Sequence, residues 1–262
     1  MLHSIMEDLI SKKNNLADIT VLYEDADMIV INKPVGYLVH ADGRTDSPTV
    51  VDWFLARAPE ARGVGEPGLS QDGAPLERSG VVHRLDRDTS GVLILAKHQE
   101  AFEHLKAQFH DRLVRKEYRA IVHGTMKEEW GTITRPIGRS TKDFRLRSAE
   151  KGARGVLRDA ITEWKLLSQS TSHAYLALFP KTGRTHQLRV HLKSISRPIV
   201  GDTLYTTPQL KNADTLGFSR LALHAHRITI AIPNGKTETF EAPLPPDFEA
   251  GLSALASADA VC

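Results

Sequence analysis

Apolar residues recur along this chain in two periods, and the changes from one to the other mark out its elements. Leu2, Ile5, Met6, Leu9 and Ile10 fall at helical spacing, so residues 1–18 read as an N-terminal extension holding a short amphipathic helix. Ile19 to Tyr23 and Met28 to Ile31 are two β-branched runs around Glu24-Asp25-Ala26-Asp27, the pattern of a hairpin. Ser47 is placed to cap a helix with Pro48 at its first position and Val51, Phe54 and Leu55 on its buried face. From Pro59 to Gly80 glycine and proline are frequent and apolar residues few, which predicts a long loop. Val92 to Leu95 then reads as a buried strand, and Phe102, Leu105 and Phe109 mark one face of a helix from about Gln99 to Arg112. Lys116 to Val122 alternates, which puts Tyr118 on a face with Ala120 and Val122.

Between Arg135 and Arg158 the periodicity lapses while Arg and Lys accumulate, the signature of a solvated excursion. Ile161 to Leu167 and Ala174 to Phe179 form a second candidate hairpin around Gln169-Ser170-Thr171. Thr185 is positioned to cap a helix whose inward stripe is Leu188, Leu192 and Ile195. Leu221 to His226 continues into Ile228-Thr229-Ile230, and Pro233-Asn234-Gly235 turns the chain into Thr237 to Phe240, a strong hairpin signal. Residues 249–262 read as a bland C-terminal tail of small side chains.

Composition narrows the setting more than the activity. With 41% hydrophobic and 25% charged residues the 262-residue chain is ordinary for a globular protein, so wholesale disorder is excluded. Cys262 is the sole cysteine, which excludes an internal disulfide and a thiolate metal site and suits a reducing, cytoplasmic setting. No apolar run reaches the length of a membrane span, and the N-terminus carries acids where a signal peptide would be apolar. A net charge of +2 does not announce a nucleic-acid partner, so the case for one rests on where basic residues cluster.

The candidate chemistry centres on Val81 to Lys97. There Asp86, one residue from Arg87 and two from Arg84, precedes the aliphatic run, where flanking cations would keep it ionised beside a rigid strand. Asp86 and Asp88 would equally serve as turn residues. Arg184 and Arg189 stand at or near a helix N-terminus, where the dipole disfavours cations; a carboxylate such as Asp86, an RNA phosphate or plain exposure to water would each settle them. His186 with His191 lacks helical metal-ligand spacing, His224 with His226 lacks a carboxylate or thiolate partner, and no glycine-rich phosphate loop follows a strand.

Taken together, His83-Arg84-Leu85-Asp86-x-x-Thr89-Ser90-Gly91, Lys116-x-Tyr118, Gly183-Arg184-Thr185-His186-Gln187-Leu188-Arg189-Val190-His191, Pro198-Ile199-x-Gly201-Asp202-x-x-Tyr205 and Leu221-x-Leu223-His224-Ala225 resemble the RluA-type pseudouridine synthases, over almost everything from Ile19 to Phe248. The resemblance implies an α+β catalytic domain, here residues 19–248, on a mixed, largely antiparallel sheet with a central RNA-binding cleft. Some eighteen residues precede the first strand, too few for the small RNA-binding domain that many members carry. It further implies isomerisation of uridine in ribosomal or transfer RNA by a monomer, without metal, cofactor or membrane. Asp86 would be the catalytic carboxylate, acting at C1′ or C2′ of a flipped-out uridine. Arg189 would be its ion-pair partner, with Arg184 the competing assignment. Tyr118 would stack on the uracil, Leu223 would floor the pocket, and Arg84 would fill the space the base leaves. Thr89, Arg184 and His186 would contact RNA, and the basic stretches Arg112 to Arg119, Arg139 to Arg158 and Lys181 to Arg197 would meet its phosphates.

Overall fold

The structure is a computed structural model and describes residues 19–257 except 44, 46, 70–72, 74, 142, 144, 145, 150–152 and 211. The N-terminal helix expected within residues 1–18 lies outside these. Along the chain run β1 (Thr20–Glu24), β2 (Met28–Lys33), α1 (Val50–Arg57), β3 (Gly68–Leu69), β4 (Pro75–Leu76), β5 (Ser90–Ala96), α2 (Gln99–His110), β6 (Arg115–His123) and β7 (Trp130–Thr134). There follow β8 (Ile137–Arg139), β9 (Arg147–Ser148), β10 (Arg154–Arg158), β11 (Ile161–Gln169), β12 (His173–Pro180), α3 (Gln187–Ser194), β13 (Leu223–Ala231), β14 (Thr237–Glu241) and α4 (Pro246–Ser257). Every strand pairing described below is antiparallel; Leu38 and Thr49 form a parallel bridge. The α+β class with a mixed, largely antiparallel sheet is therefore borne out.

The chain divides into two compact units, the first formed by residues up to Val114 with Arg227–Ala242, the second by Arg115–His226 with residues from Pro243 onward. In the first unit β1 and β2 form the expected hairpin, whose turn is closed by Asp25 Oδ1 accepting from the backbone N–H groups of Asp27 and Met28, each at 2.9 Å. Strand β5 pairs with β2 from Met28↔Ala96 to Lys33↔Gly91 and is buried at all seven residues. Burial on both faces is why the sequence there is continuously aliphatic rather than alternating. Its core joins Val30, Ile94, Phe102, Leu105, Ile228 and Ile230. Strands β13 and β14 pair from Arg227↔Glu241 to Ala231↔Thr237, around Gly235 at φ +85°, as Asn-Gly predicts.

Two expectations shift in this unit. Helix α1 is capped by Thr49 rather than Ser47: the Thr49 hydroxyl accepts from Asp52 N at 3.3 Å while Asp52 Oδ2 accepts from Thr49 N at 2.7 Å. This reciprocal capping box satisfies two orphan donors, which a lone serine two residues earlier does not. The predicted loop from Pro59 to Gly80 contains the two-residue strands β3 and β4, paired at Gly68↔Leu76 and Leu69↔Pro75.

In the second unit β6, β12, β11 and β7 lie side by side in that order. Their apolar face meets α3 and α4 through Ile121, Leu176, Leu178, Leu188, Leu192 and Phe248. Residues 249–257 of the expected bland tail belong to α4, anchored by Phe248 and Leu255 at 0% and 3% exposure, and the rest of that tail lies outside the described residues. Gly251 lets that helix lie on the Phe218 ring, since a Cβ there would come within 2.3 Å of it. The basic stretch from Arg135 to Arg158 is solvated as expected along β10, exposed at all five residues, but its described residues are not irregular, because β10, β8 and β9 pair in a separate small sheet.

Helix α3 starts without the cap expected from Thr185. Its N-cap is His186, held at φ +55° with no side-chain capping bond. The work falls to Gln187, whose Oε1 accepts from Arg184 N at 3.0 Å and from the Thr182 hydroxyl at 2.7 Å. Its Nε2 donates to Ile161 O and Thr162 Oγ1. One turn on, His191 is fully buried between Thr162 Oγ1 and Arg135 O, each 2.9 Å away. The neutral ring fits both, Nε2–H donating to the carbonyl and Nδ1 accepting from the hydroxyl.

Burial pulls the His191 pKa below its usual 6.5, and the Arg135 charge acts in the same sense, against the hydrogen bond to the Arg135 carbonyl. His40 and His123 are lowered too, each mainly by burial. As pH falls below 6.5 the unfolded chain takes up these protons first, so stability present above that pH is lost on acidification. Thermal melts by circular dichroism at pH 7.5 and 5.5 will show a lower Tm at the acid value; an equal or higher Tm would contradict the buried neutral rings.

Candidate active site

Asp86 sits in the turn that leads into β5, half-buried, with its own carbonyl accepting from Thr89 N at 3.1 Å. The turn is fixed from both sides. Leu85 and Thr89 are 5% and 2% exposed, so the residues flanking Asp86 are embedded. Lys33, at the end of β2, is fully buried and its ammonium donates to the carbonyls of Pro34 (2.8 Å), Tyr37 (2.9 Å) and Arg87 (3.1 Å). A buried ammonium needs such acceptors, and here they tie the Asp86 turn to the neighbouring loop. Gly36 N adds a 2.9 Å bond to the Arg87 carbonyl.

His83 and Arg84 face opposite duties. The His83 ring stacks on Phe109 at a centroid distance of 4.6 Å, and its Nε2 accepts from Ile94 N at 3.0 Å, so it is committed to packing the strand. Arg84 is exposed, with Nη1 3.3 Å from His40 Nε2. His40 Nδ1 donates to Ala41 O at 2.7 Å, which leaves Nε2 to accept from the guanidinium. Burial, reinforced by the charges of Arg84 and Arg78, outweighs the Ala41 bond and lowers the His40 pKa, keeping the ring neutral as that acceptor role requires.

In the second unit the guanidinium of Arg189 forms a two-pronged pair with Asp202, Nε to Oδ2 and Nη2 to Oδ1, each at 2.8 Å. Both are buried, their side chains 5% and 1% exposed. Asp202 Oδ1 also accepts from the N–H groups of Leu204 and Tyr205 at 3.0 Å. Asp202 is thus one protein carboxylate that meets the cation at the start of α3, and it stands in the Gly201-Asp202-x-x-Tyr205 run without having been assigned that task. The Tyr205 ring lies 5.0 Å from the Arg189 guanidinium. Its hydroxyl accepts from Arg147 N at 3.0 Å and lies within hydrogen-bond distance of His186 Nδ1, at 2.8 Å.

Of the predicted site residues, Arg84, Asp86 and Thr89 belong to the first unit, and Tyr118, Arg184, His186, Arg189 and Leu223 to the second. Arg184, His186 and Arg189 are gathered at the start of α3, where Arg184 Nε donates to Asp159 O at 3.1 Å. Leu223 is 3% exposed in the core cluster, against which the half-buried Tyr118 also packs. Lys116, two residues before Tyr118 on β6, has its pKa lowered by burial. Lys33, His40 and Tyr205 were missed as supports. A lysine closing a β-branched run, and a tyrosine three residues after Asp202, were the signals available.

Residues 27–194 match the family model described as RNA pseudouridylate synthase. An uncharacterized RNA pseudouridine synthase of Synechocystis sp. is 40% identical over 87% of this chain and 66% of its own length. A ribosomal large subunit pseudouridine synthase D of Neisseria meningitidis is 37% identical over 90% and 60%. The chain thus spans somewhat less than two thirds of the length of either. Among solved structures, human RNA pseudouridylate synthase domain containing 4 superposes with a TM-score of 0.69 at 25% identity, covering 95% of this chain and 98% of that one.

Because Arg189 and Asp202 are out of water together, removing one strands the other. Asp202→Ala will lower unfolding stability by about 3–5 kcal/mol, measured by urea denaturation. A loss below about 1 kcal/mol, the range of exposed pairs, would show that the pair carries little.

Proposed function

This chain belongs to the RNA pseudouridylate synthase family, and on that premise we propose that it isomerises uridine to pseudouridine in RNA, with Asp86 as the reacting carboxylate. The bond from C1′ to N1 breaks, the uracil turns, and C5 bonds to C1′; C5 gives up its proton and N1 gains one. Atoms and electrons balance within the nucleotide, so the reaction itself calls for no redox partner. The observation that carries this reading is the Asp86 turn, tied by Lys33 to the adjacent loop and running directly into the wholly buried strand β5. A carboxylate held this way keeps its direction while a substrate is placed against it.

The other roles follow from residue chemistry. Arg189, already held by Asp202 through Nε and Nη2, is assigned as the ion-pair partner of Asp86, with Arg184 the competing assignment, because a charge-assisted pair would keep the carboxylate ionised and fix its direction. Tyr118 offers the uracil an aromatic face and a phenol for the late proton transfer, and Leu223 an apolar floor. Arg84 has a planar guanidinium that can take the place of a base drawn out of a stack. Thr89, Arg184 and His186 are assigned to the RNA backbone. The relatives named for the ribosomal large subunit make its RNA the first substrate to assay and transfer RNA the second. The protein acts as a monomer in the cytoplasm in this reading; no helix among the described residues is long and apolar enough to cross a membrane.

Asp86→Asn keeps the shape of the side chain and removes its charge. Tritium release from RNA labelled at uracil C5 will fall by about a thousandfold or more, while the Tm stays within a few degrees of the unaltered chain. Undiminished release would overturn the assignment.

A further inference from the structure

The loop after β2, the ribbon of β3 and β4 and the segment just before Asp86 line a cavity of about 170 Å³, all of it within the first unit. Pockets for drug-sized ligands run to about 300–1,000 Å³, so this one has room for a single flat ring system. Leu38, Leu69, Leu76 and Leu85 supply apolar walls, and Leu69 is 67% exposed, which leaves its side chain to be covered by whatever enters. The other walls carry charge of both signs, from Arg78, Arg84 and Asp42, around the His40 ring.

Arg78 is not accounted for by the protein's own contacts. It is half-buried, its Nε is out of water without an acceptor, and it makes no hydrogen bond or ion pair to another described residue. Buried donors are rarely left so. Its place is nevertheless built, because the side chain lies across Gly68 on β3, where any Cβ would collide with Arg78 Nε and Cδ. Around it the other charges are held in position. Arg84 Nη1 lies 3.3 Å from His40 Nε2, and Asp42 Oδ1 accepts from the N–H and the hydroxyl of Thr45, each at 2.9 Å. The charges of Arg84, Arg78 and Asp42 all act on the His40 ring, beneath the larger effect of its burial, which places the three about one point. A carboxylate offers about four acceptor sites, so Asp42 can serve a ligand as well as Thr45.

We propose that this cavity reads one guanine of the substrate RNA, unstacked from the loop that carries the isomerised uridine, with the Arg78 fork donating to O6 and N7, Asp42 accepting from N1–H and the 2-amino group, and the leucines covering the ring. Single-stranded RNA is read through splayed bases bonded along their edges, and an arginine fork on O6 and N7 is the commonest specific pairing to guanine. Adenine presents an amino donor where the fork needs an acceptor, and uracil has no N7. The proposal rests on the isomerase reading for the identity of the polynucleotide, and it adds a choice of sequence that phosphate contacts cannot make.

The test is a pool of RNA stem-loops randomised around one loop uridine, captured by the protein on filters and sequenced. Guanosine will be enriched in the bound fraction at one fixed position by about five- to a hundredfold. Arg78→Lys keeps the charge and loses the fork, so it will abolish that enrichment while the total RNA bound stays within about twofold. Placing 7-deazaguanosine at the selected position, which removes the N7 acceptor, will weaken capture by the unaltered chain by about fivefold. Enrichment of another base or of none, guanosine enrichment that survives Arg78→Lys, or undiminished capture of the 7-deaza RNA would overturn the proposal. Release of the selected RNA by micromolar free GMP would assign the cavity to a free nucleotide and overturn it too. Capture does not depend on turnover, so tritium release from the selected RNA scores the isomerase reading separately: guanosine-selective capture without release rejects that reading alone, and release without guanosine selectivity rejects the cavity alone.

Discussion

Arg189 and Asp202 are both withdrawn almost completely from water, and two full charges brought that far inside are tolerable only within a hydrogen bond of each other. Meeting that condition fixes much else in the second unit. Asp202 reaches its place by way of Gly201, at φ +70°, where a Cβ would collide with the Arg220 carbonyl. The same carboxylate then takes the N–H groups of Leu204 and Tyr205, which brings the Tyr205 ring under the guanidinium. From there the Tyr205 hydroxyl reaches His186 at the start of α3 and Arg147 on β9. One buried ion pair thus bears on the entry to a helix, the position of a histidine ring and the anchoring of the arginine-rich hairpin.

The first unit meets a similar demand with a single charge. Lys33 is fully buried and satisfied by backbone carbonyls, one of them in the Asp86 turn and two in the loop after β2. Because carbonyl positions depend on backbone conformation, the ammonium acts as a staple on loop shape. Strand β5 supplies the complementary rigidity, since a segment buried at every residue cannot slip its register without exposing aliphatic side chains. The carboxylate assigned to the sugar stands at the junction of these two restraints.

Elements whose pattern matched their burial were legible in the sequence. The hairpins β1/β2 and β13/β14 carry turn residues between β-branched runs, and β5, α2 and β6 announce themselves by period. The misplaced features lack a one-dimensional signal. Thr49 outranks Ser47 as a cap because Asp52 returns its hydrogen bond. Helix α4 is built of small residues and relies on Phe248 and Leu255 finding the core. The sheet of β8, β9 and β10 has few apolar positions and a bulge, so it shows no alternation. Asp86, Tyr118 and Arg189 could be singled out as chemistry-bearing residues, whereas Asp202 and Lys33, which position others, became visible only once their partners were assembled.

Family membership, the stapled turn at Asp86 and the basic cluster around α3 are joined here by one claim: a uridine enters, its base is detached, turned and returned, and nothing leaves except the proton from C5. That claim is tested most directly by incubating RNA carrying uridine labelled in the uracil ring carbons with the protein, digesting it to nucleosides and following the label. The account predicts that label lost from uridine appears in full as pseudouridine with no free uracil. Label recovered as free uracil, or retained wholly in uridine across ribosomal and transfer RNA, would contradict it.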